Sequence, residues 1–140
     1  MSERLVVHVD GGARGNPGPA AIATVLAEPD GTVVEEHAEV IGHATNNVAE
    51  YRALLLGIEQ ARALGARELD LVGDSELIVR QVRGEYRVKD PGLRDLHSQV
   101  TAALKGVDRW TIRNVPREEN AHADRLVNEA LDAQLDNKEA

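Results

Sequence analysis

The order of apolar and polar positions along the chain alternates between two periods. Leu5 to Val9 is a short apolar run rich in β-branched residues, closed by Asp10 and a glycine–proline cluster, and it predicts a buried strand. Pro19 to Ala27 and Thr32 to Ile41 predict two more, joined by a turn at Glu28-Pro29-Asp30-Gly31. In the third, Val34, Glu36, Ala38 and Val40 alternate with Val33, Glu35, His37, Glu39 and Ile41. That untidy pattern suits an edge strand with one wet face. From Asn47 to Leu64 the apolar positions shift to helical spacing, with Thr45 or Asn46 as cap and Gly65 as stop. Glu68 to Gly73 returns to a strand closed by Asp74. Ser75 to Arg83 and Pro91 to Leu104 predict helices, Trp110 to Val115 a last strand, and Asn120 to Leu135 a closing helix. Asp136 to Ala140 is expected to fray. The order βββ-α-β-α-α-β-α predicts an α/β fold, with an antiparallel meander followed by right-handed crossovers and parallel pairing.

Composition adds limits. The chain has 140 residues, which suits one domain, here taken as residues 1–135. Hydrophobic residues make up 42% and charged residues 29%, the balance of a globular protein. Sixteen Lys and Arg against 24 Asp and Glu give a net charge of −8, which excludes a uniformly basic coat but leaves room for a local basic patch. The absence of cysteine removes disulfides, thiolate nucleophiles and zinc ribbons, and fits a reducing compartment such as the cytoplasm. The N-terminal residues do not read as a signal peptide, and no apolar run is long enough to span a membrane. With Tyr51, Tyr86 and Trp110 as the aromatics, there is little material for a base-stacking platform.

The candidate chemistry lies in four acidic residues. Asp10 and Asp74 each close an apolar strand, so parallel neighbouring strands would bring both carboxylates to one edge of the sheet, where open α/β sheets build their sites. Strands lie about 4.8 Å apart, and two anions that close require either a proton or a cation between them. Glu50 falls on the first turn of the long helix, in line with Leu54 and Gly57 on the face turned to the sheet; Gly57 would let that helix approach closely. Asp124 lies near the start of the last helix, flanked by Ala121, Ala123 and Leu126. An aspartate at a strand end or helix start is ordinarily a cap. Four that converge, with no cysteine and no ligating histidine pair, favour a hard, oxygen-preferring ion such as Mg²⁺ or Mn²⁺.

The same residues carry a resemblance. The stretch from about Leu5 to Ala130 resembles type 1 ribonuclease H. Asp10-Gly11-Gly12 with Arg14-Gly15-Asn16-Pro17-Gly18-Pro19 is similar to that family's first strand and turn. Thr45-Asn46-Asn47-Val48-Ala49-Glu50-Tyr51 is similar to its first-helix motif. Asp74-Ser75 and Asn120-Ala121-His122-Ala123-Asp124 are similar to its last two acidic elements. The resemblance implies a five-stranded mixed sheet in the order 3-2-1-4-5, with helices on both faces. It implies an endonuclease that hydrolyses the RNA strand of RNA–DNA hybrids, leaving 5′-phosphate and 3′-hydroxyl ends, with two Mg²⁺ ions clamping an in-line displacement and Mn²⁺ able to substitute. By the same resemblance Asp10 would bridge both ions, Asp124 would hold the ion that activates water, and Glu50 and Asp74 would hold the other. Asn46 and Asn47 would contact RNA 2′-hydroxyls, helped by backbone groups near Gly11 and Gly12, with Asn16 also at the substrate and Thr45 on a DNA-strand phosphate.

Departures from the family pattern accompany the likeness. The loop Asn114 to Asn120 has no histidine where many bacterial members carry one, and Arg117 is the expected substitute; His122 reads as a helix-surface residue. Gly84 to Pro91 is short where many members have a basic protrusion, and Glu76 stands where some have glutamine. These features resemble the short archaeal-like branch, or the ribonuclease H domain of some actinobacterial bifunctional proteins. Between Arg80 and Arg94, five basic residues stand against Glu85 and Asp90, and Arg83, Arg87 and Lys89 are expected to grip DNA-strand phosphates. No partner beyond the hybrid is implied, and a monomer is expected.

The glycine loop after Asp10 lacks Gly-Lys-Ser/Thr and leads into a strand, so it reads as a hairpin rather than a nucleotide loop. The rival functions are a related metal-dependent exonuclease, which usually shows Asp-x-Glu where this chain has Asp10-Gly11-Gly12, and a non-catalytic hybrid-binding domain, which loss of an acidic residue would favour.

Overall fold

The computed structural model describes residues 3–139, with side chains described as far as Leu135. Five strands, β1 (Arg4–Ala13), β2 (Gly18–Ala27), β3 (Val33–Ala44), β4 (Glu68–Gly73) and β5 (Arg109–Asn114), form one sheet in the order β3-β2-β1-β4-β5. The first three pair antiparallel; β1–β4 and β4–β5 pair parallel. Four helices, α1 (Asn46–Ala63), α2 (Glu76–Val82), α3 (Pro91–Leu104) and α4 (Ala121–Glu139), complete the fold, with a 3₁₀ turn at Arg117–Asn120 just before α4. This is the mixed sheet that the sequence pattern and the resemblance lead one to expect.

Alternation along the strands produces two layers of core. Leu5, Val7 and Val9 of β1, with Ala20, Ile22 and Leu26 of β2 and Leu69 and Leu71 of β4, are buried in one cluster with Leu54, Ile58 and Ala61 of α1 and Val100 and Leu104 of α3. On the opposite face the smaller Ala21 and Ala23 receive Val127 and Leu131 of α4. Small residues also let α1 come close. A methyl group at Gly57 would lie 2.7 Å from Cγ1 of Val7, and one at Gly11 would fall on the backbone of Ala49. β3 is the wet edge expected of it, with most of its positions exposed.

The boundaries depart from the sequence reading in informative places. β1 runs on through Asp10, Gly11 and Gly12 to Ala13, because those residues still pair with Ala23, Ile22, Ala21 and Ala20 of β2. Asp10 therefore sits inside a strand, not at its end. β3 continues to Ala44 through an irregularity in its pairing between Ala20 and Ala21, where Gly42 takes a φ of +86°. α4 extends to Glu139, past Leu135; Ala140, the end of the segment expected to fray, lies outside the described residues.

Candidate active site

The β1–β4 register pairs His8 with Val72. Asp10 and Asp74 each stand two residues further, so they emerge side by side where β4 gives way to its loop. Glu50 comes from the first turns of α1, which the close approach at Gly11 presses against β1. Ligand-capable oxygens of Asp10, Glu50 and Asp74 lie within 4.8 Å of one another. Asp124 faces this trio from the first turn of α4, near enough for its charge to act on both Asp10 and Asp74.

Four carboxylates at this spacing are electrostatically costly. Burial first, then the charges of Asp74, Asp124 and Glu50, push the Asp10 carboxyl up to about 8. Burial also lifts Glu50 to about 7, against a hydrogen bond from Ser75 that favours its ionised form. Asp74 is raised by burial too, opposed mainly by the Arg117 guanidinium, whose Nε lies 3.7 Å from Asp74 Oδ2. Asp74 is not spent as a cap: α2 is capped by Ser75 Oγ, which accepts from the Ile78 N–H at 3.3 Å. The cluster is thus all oxygen, buried and short of positive charge, which is the donor chemistry of a hard divalent cation. It opens on a cleft of about 280 Å³ bordered by Gly11, Gly12, Arg14, Asn46, Arg117 and Asn128.

The expected substrate residues fall into two groups. Asn46 borders the cleft, and Asn47, Thr45 and Asn16 gather around it at the start of α1. Asn46 Oδ1 accepts from the Ala13 N–H at 2.8 Å, and Asn16 Oδ1 accepts from the Asn46 N–H at 3.0 Å. These bonds tie the β1–β2 hairpin to the start of α1 and leave the Asn46 Nδ2 donors for a ligand. Thr45 caps α1, accepting from the Val48 N–H at 3.2 Å, which leaves its own hydroxyl hydrogen to donate.

The second group is the basic segment, and here contacts within the fold intervene. Both Nε and Nη2 of Arg83 donate to the Ile112 carbonyl, at 3.0 and 2.6 Å, so Arg83 clasps β5. Arg80 pairs with Glu76 and Glu85 and lies over the Tyr86 ring. That pairing also compensates the Glu76 charge. Arg87 and Lys89 are exposed, with no partner among the described residues. His122 bonds to Glu36 of β3 at 2.9 Å, on the far side from the cleft. Two contributors escaped the sequence reading. Ser75 bonds to Glu50, for which its place beside Asp74 was the available signal. Arg14 pairs with Asp132 at 2.7 Å and borders the cleft, for which its place in the turn after Asp10 was the available signal.

A sheet of this order, with its carboxylates at the boundary between the antiparallel and parallel halves, has the ribonuclease H-like fold. A family model described as reverse transcriptase-like matches residues 8–130. Ribonuclease HI of Halobacterium salinarum is 46% identical over 129 residues, 92% of this chain and 65% of that protein. The crystal structure of RNase H1 from that archaeon has a TM-score of 0.91, covering 93% of this chain and 98% of that one. The N-terminal RNase H domain of Rv2228c from Mycobacterium tuberculosis, solved as a fusion with maltose-binding protein, is 44% identical with a TM-score of 0.93, covering 98% and 99% of the two chains. LC11-RNase H1, solved in complex with an RNA/DNA hybrid, is 42% identical with a TM-score of 0.89, covering 94% and 99%. This chain belongs to the type 1 ribonuclease H family. It spans 65% of the curated Halobacterium protein and 36% of the mycobacterial bifunctional protein.

Proposed function

We propose that this domain is an endonuclease that hydrolyses the RNA strand of RNA–DNA hybrids, leaving 5′-phosphate and 3′-hydroxyl ends. The observation that carries the reading is the convergence of Asp10, Glu50 and Asp74 within 4.8 Å, raised in pKa by burial and beside an open cleft. Asp10, Glu50, Asp74 and Asp124 would hold two Mg²⁺ ions, with Mn²⁺ substituting. Such ions supply Lewis-acid stabilisation of the charge that develops on phosphate and lower the pKa of water. The carboxylates would supply the negative charge that holds the ions, and the Ser75 hydrogen bond orients Glu50 and favours its ionised form. Arg117, exposed at the lip and already near Asp74, would offer its guanidinium to the 5′-phosphate of the product.

Sugar choice falls to the α1 start. A 2′-hydroxyl oxygen accepts, and the free Asn46 Nδ2 donates. Replacing Asn46 and Asn47 together by alanine should lower kcat/KM on hybrid roughly tenfold or more, since each neutral hydrogen bond contributes about 0.5–1.5 kcal/mol. An equal loss of binding to a hybrid with 2′-deoxy sugars around the cut would show that these residues do not read the sugar.

The direct test is an end-labelled RNA–DNA hybrid, single-stranded RNA, duplex RNA and duplex DNA, each with Mg²⁺, Mn²⁺ or EDTA. Internal cuts in the RNA of the hybrid, with either metal and not with EDTA, are expected. Binding without cleavage would favour the non-catalytic reading, and stepwise shortening from an end the exonuclease. Mg²⁺ should also raise the melting temperature, because an ion that binds only the folded state stabilises by about 2.7 kcal/mol at a hundredfold excess over Kd. An unchanged melt at millimolar Mg²⁺ would count against a preformed site in the free protein.

A further inference from the structure

We propose that Asn120 is a positioning residue for the Asp10–Asp124 pair: its buried amide, tied to the Val9 carbonyl, sets how far the first turn of α4 stands from β1. The inference rests on the hydrolytic reading above. Asn120 is the last residue of the 3₁₀ turn, and α4 begins at the next position. It is 2% exposed, and its Nδ2 donates to the Val9 carbonyl at 2.8 Å.

Both ends of that bond adjoin a carboxylate. Val9 directly precedes Asp10 and stands one residue past the last β1–β4 pair. Asp124 follows Asn120 by about one helical turn, so the two side chains leave the same side of the helix start. One hydrogen bond therefore couples the backbone beside one acidic group to the turn that carries the other. The two carboxyls interact directly, by charge and by a side-chain hydrogen bond, so the distance between β1 and the first turn of α4 matters to both. The apolar seats that hold α4 to the sheet, Val127 and Leu131 on Ala21 and Ala23, begin only beyond Asp124. Asn120, with the buried Ala123, is what fixes the first turn of α4 at that distance.

The other half of the amide gives an independent observation. Asn120 Oδ1 is buried without a hydrogen-bond partner of good geometry among the described residues. The His8 ring, two residues before Asp10, borders the same cavity of about 180 Å³ and makes a side-chain hydrogen-bond interaction with the amide. The donor end, on Val9, is the end that fixes the orientation.

The test compares Asn120→Ala and Asn120→Gln with Val100→Ala, a core truncation on α3 away from the site. Each is measured for kcat and KM on hybrid and for the rise in melting temperature caused by Mg²⁺ alone. Asn120→Ala should lower kcat by about 10²-fold with KM within about twofold, the scale of a misplacement near 1 Å. Its Mg²⁺-induced rise should shrink to roughly half or less. Val100→Ala should lose basal melting temperature and keep both kcat and the Mg²⁺ response. Asn120→Gln, which keeps the amide on a longer tether, should recover melting temperature without recovering kcat. If kcat and the Mg²⁺ response simply follow melting temperature across the three variants, the proposal is overturned. Failure of both Asn120 variants to fold overturns it too, assigning the residue to stability. If wild type cleaves no hybrid, the hydrolytic reading fails, and the Mg²⁺ responses alone still decide the positioning role.

Discussion

Asp10→Asn is expected to abolish hybrid cleavage and, in the same molecule, to stabilise the metal-free protein at pH 8. The two effects have one cause. Asp10 lies in the middle of the cluster, where Asp74, Asp124 and Glu50 all act on it. An amide there cannot supply the anionic charge that the proposed metal site would draw on, so turnover should fall by about 10²–10³-fold or more, the scale seen when a single preorganised electrostatic group is lost.

Without metal, the same carboxylate is a liability. Its pKa is raised to about 8 in the folded state, and that of Glu50 to about 7, so the folded protein binds more protons than the unfolded chain between about pH 4 and pH 8. Stability therefore declines as pH rises across that window. The asparagine removes one source of the decline. In EDTA, Asp10→Asn should match wild type near pH 4 and exceed it at pH 8 by at least about 1.4 kcal/mol, the equivalent of one pKa unit. Mg²⁺ should reverse the ranking, since wild type gains from the ion and the variant does not. Turnover near the wild-type rate, or a stability difference that is the same at both pH values, would remove Asp10 from the centre of the site.

The placement of the carboxylates was legible in the sequence because apolar runs and helix periods place backbone, and backbone determines where short side chains go. Asp10 and Asp74 each close an apolar run, and the parallel pairing of those runs is enough to set them side by side. Glu50 shares a helix face with Leu54 and Gly57, and that face is buried. Legibility failed where long side chains choose among partners. Arg83 reads as a phosphate ligand from its neighbours in sequence, yet it is held by the Ile112 carbonyl, twenty-nine positions away. Asn120 reads as the opening residue of a motif, and its bond to Val9 depends on a turn that no apolar period announces. The extent of β1 was missed for a related reason. Gly11 and Gly12 carry no hydrophobic signal, although their backbone pairs with β2 as fully as that of Val9.

Gly11 also supports the second large prediction, that Gly11→Ala costs both stability and activity although it adds one methyl group. The new Cβ would fall on the carbonyl carbon and oxygen of Ala49 and lie 2.7 Å from the Glu50 nitrogen. Those are main-chain atoms of α1, so no side chain can rotate away, and the helix start itself must retreat. Overpacking of this kind typically costs about 1–3 kcal/mol, a fall in melting temperature of roughly 5–10 °C for a domain of this size. The retreat moves Glu50 away from Asp10 and carries Asn46 and Asn47 with it, so kcat should fall well below what the unfolded fraction explains. Gly12→Ala is the matched control for stability. Its Cβ would meet only Val127 Cγ1, at 3.9 Å, an ordinary contact, and its melting temperature should stay close to wild type. If Gly11→Ala melts like Gly12→Ala, the close seating of α1 on β1 is not what holds Glu50 in the cluster.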